Sequence, residues 1–132
     1  MAMLHPNQFQ VNEAWIAFQL NDAPILTKSE GDFNCLALMD AASCFLLTSE
    51  FVPANVGVSE VEARRLLKNG YAHKQQTAKT LFIPSELRVV NLALEAQRQK
   101  ISVVRVPEAQ LLIFYWKREG WIQRTLSRSA AW

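Results

Sequence analysis

Glycine is scarce in this chain, four in 132 residues and none clustered. No phosphate-cradling G-x-x-x-x-G-K-[ST] loop and no G-x-G-x-x-G turn is possible, and no G-x-S-x-G elbow occurs. Histidine is scarcer still. With His5 and His73 alone there is no H-E-x-x-H zinc helix, and His73, beside Lys74, reads as a solvated loop residue. The two cysteines, Cys35 and Cys44, form no C-x-x-C pair. No apolar run reaches the roughly 18 residues of a membrane span. The opening "MAMLHPNQFQ" lacks the basic and apolar regions of a signal peptide, so cytoplasmic residence is the expectation. Fourteen Lys and Arg face twelve Asp and Glu, a net charge of +2. That is too mild to indicate nucleic acid, and any such affinity should be weak.

Apolar residues are plentiful, at 50%. A chain of this length folds as one domain, 1–132, with 1–10 and 125–132 expected as loose termini. The stretch "CLALMDAASCFLLTSEF" (35–51) carries the first clear architecture. Strands at about 33–39 and 44–52 are apolar on both faces, so this hairpin should be covered on both sides. With the turn at Asp40–Ser43, Met39 would face Cys44 and Cys35 would face Thr48. The thiols would then lie about four residues apart at about 3.3 Å each, beyond the roughly 7 Å a disulfide spans. They read as small buried hydrophobes. Asp40 raises a question of its own. It is either a catalytic carboxylate at a strand end or a turn residue accepting backbone N–H groups, and turn chemistry is the commoner use. On the turn reading, Asn at this position should serve almost as well.

Ser59 and Glu62 form an S-x-x-E capping box. A helix should follow, with Val61, Leu66 and Leu67 buried and Asn69-Gly70 as its stop. "TLFI" reads as a strand halted by Pro84. Ser85 should cap the next helix, burying Leu87, Val89, Val90, Ala93, Leu94 and Ala96 and wetting Arg88, Asn91, Glu95, Arg98 and Gln99. "ISVVRV" is a β-branched strand. Strand, helix and strand over about 79–106 make a parallel βαβ unit. The fold class is therefore α/β, a mixed sheet with a central antiparallel hairpin, a parallel pair and helices on both faces. Residues 11–21 and 111–119 suit helix or strand alike, with a helix from Pro107 to about Glu119 favoured for the second.

This order resembles the ribonuclease H-like fold, shared by ribonucleases H and the cores of transposases and retroviral integrases. There a strand ending in Asp turns through small residues into the next strand, as "ALMDAASCFLL" does, and helix, strand, helix and strand follow. The resemblance covers roughly 33–119 and implies metal-dependent catalysis by converging acids. Asp40 would match the first, Glu86 the second and Glu108 loosely the third. Pro84 and Ser85 stand where the second acid belongs. The third antiparallel strand is also missing, and residues 11–20 would fill that edge. For Glu86 and Glu108 the alternative role is complementing a helix dipole.

The last feature is the apolar run "LLIFYW" with Trp121 beyond it. It cannot all face one side of a helix. An interface through Leu112, Phe114, Tyr115, Trp116 and Trp121 would cover the remainder, most simply in a homodimer. The expected function is thus non-catalytic, through self-association or a protein partner, with no cofactor and no metal. The alternatives are a metal-dependent nuclease or strand transferase, and a module binding nucleic acid or a small ligand.

Overall fold

The computed structural model describes residues 4–21, 24–29 and 31–116. Its strands are β1 (Ala14–Gln19), β2 (Ile25–Leu26), β3 (Asp32–Asp40), β4 (Leu46–Pro53), β5 (Thr80–Pro84) and β6 (Ser102–Val106). Its helices are α1 (Glu60–Lys74) and α2 (Val90–Arg98). The strands form one mixed sheet with β4, β3, β1, β5 and β6 side by side and β2 against the start of β3. β1 runs antiparallel to β3 and parallel to β5, and β5 is parallel to β6. The architecture is α/β with a mixed sheet, as the sequence implies.

The middle of the sheet belongs to β1, not to an edge. Its side chains alternate: Trp15 and Ala17 enter one core, Ala14, Ile16 and Phe18 the other. Five buried residues in a row show neither a helical nor a strand period in their polarity, which is why the letters left both open.

The hairpin forms, with a different register. Met39 faces Leu46 and Cys35 faces Phe51, with a shift between Leu38 and Met39. The connection is longer than a four-residue turn. The Cys44 N–H donates to the Asp40 carbonyl at 2.8 Å, and the Asp40 N–H to the Phe45 carbonyl at 2.9 Å. Cys44 takes the left-handed conformation, φ 58°, to close it. Both cysteines are buried, and neither is in a disulfide.

α1 and α2 cover one face. The expected capping box is present: the Ser59 N–H donates to Glu62 Oε1 (2.8 Å) and the Glu62 N–H to Ser59 Oγ (3.1 Å). The helix does not stop at Gly70 but continues to Lys74, with Gln75 left-handed at its end. Gly70 is small because Trp15 and Leu38 press on the helix there. Its buried residues are Ala63, Leu66 and Leu67, while Val61 is exposed.

α2 also departs from expectation. Ser85 does not cap it. β5 extends through Pro84, residues 85–89 turn, and the helix begins at Val90. Arg105 holds that turn by donating to the Pro84 and Leu87 carbonyls. The later start rotates the buried stripe to Val89, Leu92 and Ala96, so Val90 and Leu94 face solvent. Glu95, expected wet, is buried against α1. Burial alone would raise its carboxyl. Hydrogen bonds from Gln99 and Arg98 and the charges of Arg64 and Arg98 outweigh that and hold it below the ordinary range.

Shorter pieces cover the other face. A 3₁₀ turn at Pro6–Gln8 brings Phe9 onto Phe82 and Phe114, at ring separations of 5.6 and 6.4 Å. A second 3₁₀ turn, Glu108–Leu111, leads into a helical turn at 112–116, the helical option for this segment. Leu111 and Phe114 are fully buried, and Tyr115 lies 5.4 Å from Phe18. Among the described residues, no helix is long and apolar enough to cross a membrane.

Candidate functional site

Three parallel strands end on the same edge, at Gln19 of β1, Pro84 of β5 and Val106 of β6. In open α/β sheets ligands enter the crevice outside such carboxyl ends, where strand order changes direction. That change occurs at β1, whose other neighbour is antiparallel.

Two hollows flank Gln19. A larger one, about 490 Å³, lies between the loop after β4 and the turn after β5 and has Asn34, Leu36, Asn55, Glu86 and Arg88 among its walls. A smaller one, about 170 Å³, reaches Glu86, Glu108 and Tyr115. Side-chain amides organise this edge. Gln19 Nε2 donates to the Asn21 carbonyl (2.8 Å), and Asn21 Nδ2 donates to Asn34 Oδ1 (3.1 Å). The Cys35 N–H closes the set on Asn21 Oδ1 at 2.7 Å. Sequence patterning does not single these residues out. The polar end of "AFQLND" was their only signal.

Glu86 and Glu108 do come together here. The Glu108 N–H donates to Glu86 Oε2 at 3.1 Å, so one carboxylate caps the turn that carries the other. Asp40 lies elsewhere. It pairs with Trp15 at the opposite end of β1 from Gln19. Four residues at about 3.3 Å each put roughly 13 Å between those ends. Carboxylates sharing Mg²⁺ ions must instead approach within about 2.1 Å of the metal. Among the described residues, no three His, Cys, Asp or Glu side chains are grouped to hold a metal ion.

Asp40 has three hydrogen-bond donors of its own. The Asn12 N–H donates to Oδ1 at 2.7 Å, while the Ser43 N–H (2.9 Å) and hydroxyl (2.6 Å) donate to Oδ2. The residue is 2% exposed. Asn12, itself left-handed at φ 66°, extends the network: its Oδ1 accepts from the Trp15 indole (2.8 Å), and its Nδ2 donates to the Gln76 carbonyl (3.1 Å). Asp40 thus ties the loop before β1 to the hairpin turn.

The aromatic segment divides between core and surface. Phe114 is fully buried and Tyr115 half-buried, whereas Leu112 is 56% and Trp116 73% exposed. Trp121 lies outside the described residues.

No family model matches this chain, and no curated protein does. Among solved structures it is similar to a chain of the cryo-EM structure of the simian T-cell lymphotropic virus intasome in complex with PP2A regulatory subunit B56 gamma. The TM-score is 0.51 at 12% sequence identity. The match covers 87% of this chain and 42% of that one, so this chain spans less than half of its neighbour's length. At that identity the likeness is one of fold.

Proposed function

We propose that this chain is a ribonuclease H-like domain that works without catalysis, as a cytoplasmic homodimer or a partner-binding module. One observation carries the reading. Leu112 and Trp116, one helical turn apart, stand side by side in solvent on a segment whose other side seals the sheet. Large aromatics, Trp above all, are enriched at interface centres. The element order and the intasome-like fold support the ribonuclease H-like assignment. Two buried cysteines in no disulfide suit a reducing compartment. The nuclease or strand-transfer reading has less support, because Asp40 stands at the far end of β1 from Glu86 and Glu108.

Sedimentation of the full chain at tens of micromolar tests the proposal. A dimer that Trp116→Glu converts to monomer is the expected result, with a contact burying at least about 1,000 Å². A wild type that stays monomeric, and binds no partner through this turn, would overturn it. Metal-dependent cleavage of nucleic acid that Glu86→Gln abolishes would overturn the non-catalytic part.

A further inference from the structure

At the opposite edge of the sheet, between the hairpin turn and the end of α1, lies a hollow of about 430 Å³. Its volume falls within the usual range for small-ligand sites, roughly 300–1,000 Å³. Val11, Phe45 and Leu47 give it apolar walls, and Asn12, Asp40, Ser43 and His73 supply its polar lining. The His73 ring sits edge-on to Phe45, 5.9 Å away.

From this lining we propose a binding site for a small organic cation, a primary ammonium on an aromatic or aliphatic body. Asp40 is the one carboxylate in the lining, and it forms no ion pair with any described residue. A carboxylate offers about four acceptor positions. Three are filled here: one on Oδ1 from Asn12 and two on Oδ2 from Ser43. The position left on Oδ1 is where an ammonium would donate. A charge buried without a counter-ion favours a cation over a neutral group of the same shape. Phe45 supplies an aromatic face that also attracts cations. Val11 and Phe45, both substantially exposed, would close over the ligand's hydrocarbon part. The site is distinct from the Leu112–Trp116 surface, so it stands or falls apart from self-association.

The experiment titrates the full chain with phenethylamine and, as the neutral match, 2-phenylethanol, read by amide chemical shifts and calorimetry. The expected result is millimolar or tighter amine binding with shifts centred on residues 40–47 and 73, and at least about tenfold weaker binding of the alcohol. Asp40→Asn should abolish the preference for the amine. Phe45→Ala, at a position 45% exposed, should weaken both ligands and keeps the test decisive if the Asp40 variant does not fold. Equal affinity for amine and alcohol, shifts elsewhere on the molecule, or no binding at tens of millimolar would each overturn the proposal.

Discussion

Gly70 packs its Cα against the ring of Trp15. A Cβ built there would lie 3.3 Å from two ring carbons and 3.2 Å from Leu38 Cδ1. Both neighbours are fully buried, and the indole is pinned by its bond to Asn12. Two effects oppose each other in Gly70→Ala. Helix propensity favours Ala by about 1 kcal/mol, and overpacking costs about 1–3 kcal/mol. With Trp15 fully buried and held by Asn12, the variant should be less stable by about 1 kcal/mol, and Gly70→Val by more. Urea unfolding measures both. A stabilised Gly70→Ala would show that the indole can move.

Asp40 should tolerate less than its turn chemistry alone suggests. Both carboxylate oxygens accept, so the Nδ2 of Asn faces a donor where an acceptor is needed. Asp40→Asn should cost about 1 kcal/mol, and Asp40→Leu, which strands three donors, about 3 kcal/mol. Millimolar Mn²⁺ should not raise the melting temperature of the wild type. A Mn²⁺-dependent rise that Asp40→Asn removes would make this carboxylate a metal ligand after all.

Acid should loosen the contact between α1 and α2. The Glu95 carboxyl is held below its ordinary value of 4.5 in the folded chain. Its contribution is therefore present above that value and lost as pH falls through the lower, folded one. Stability measured from pH 6 down to pH 3 should decline less steeply in Glu95→Gln than in the wild type. Arg64 and Arg98 are more than half exposed, so added salt should shrink the difference. Parallel pH profiles for the two proteins would contradict this account.

Nucleic acid should bind weakly and without sequence preference. A net charge of +2 displaces few counter-ions, so any binding should fade between about 50 and 200 mM salt. Anisotropy with labelled single- and double-stranded oligonucleotides measures it. Tight, sequence-selective binding at the higher salt is the contrary outcome.

Features written in neighbouring residues were legible in the sequence. The Ser59–Glu62 box depends on three residues' spacing, and the parallel pair at β5 and β6 follows from a helix-length connection. Features set by distant partners were not. Gly70 reads as a helix stop until Trp15 is placed beside it. Glu95 reads as wet until Arg64 of another helix reaches it. The candidate acids suffered most. Whether Asp40 meets Glu86 depends on which strand stands beside β5, and a segment apolar on both faces gives no sign that it is the one.

That place of β1 has a consequence for how the chain assembles. The hairpin of β3 and β4 closes locally, and the βαβ unit of β5 and β6 is a second local assembly. β1 is made first, yet it pairs with residues 36–40 on one side and 80–82 on the other. During synthesis it must wait for both, and loop closure over such distances makes its docking slow. Until it docks, β3 and β5 each present a row of unpaired backbone groups, the kind of edge that recruits other chains. A chain shortened by its first nineteen residues would be left with two small sheets and two raw edges, and aggregation rather than simple unfolding would be its fate.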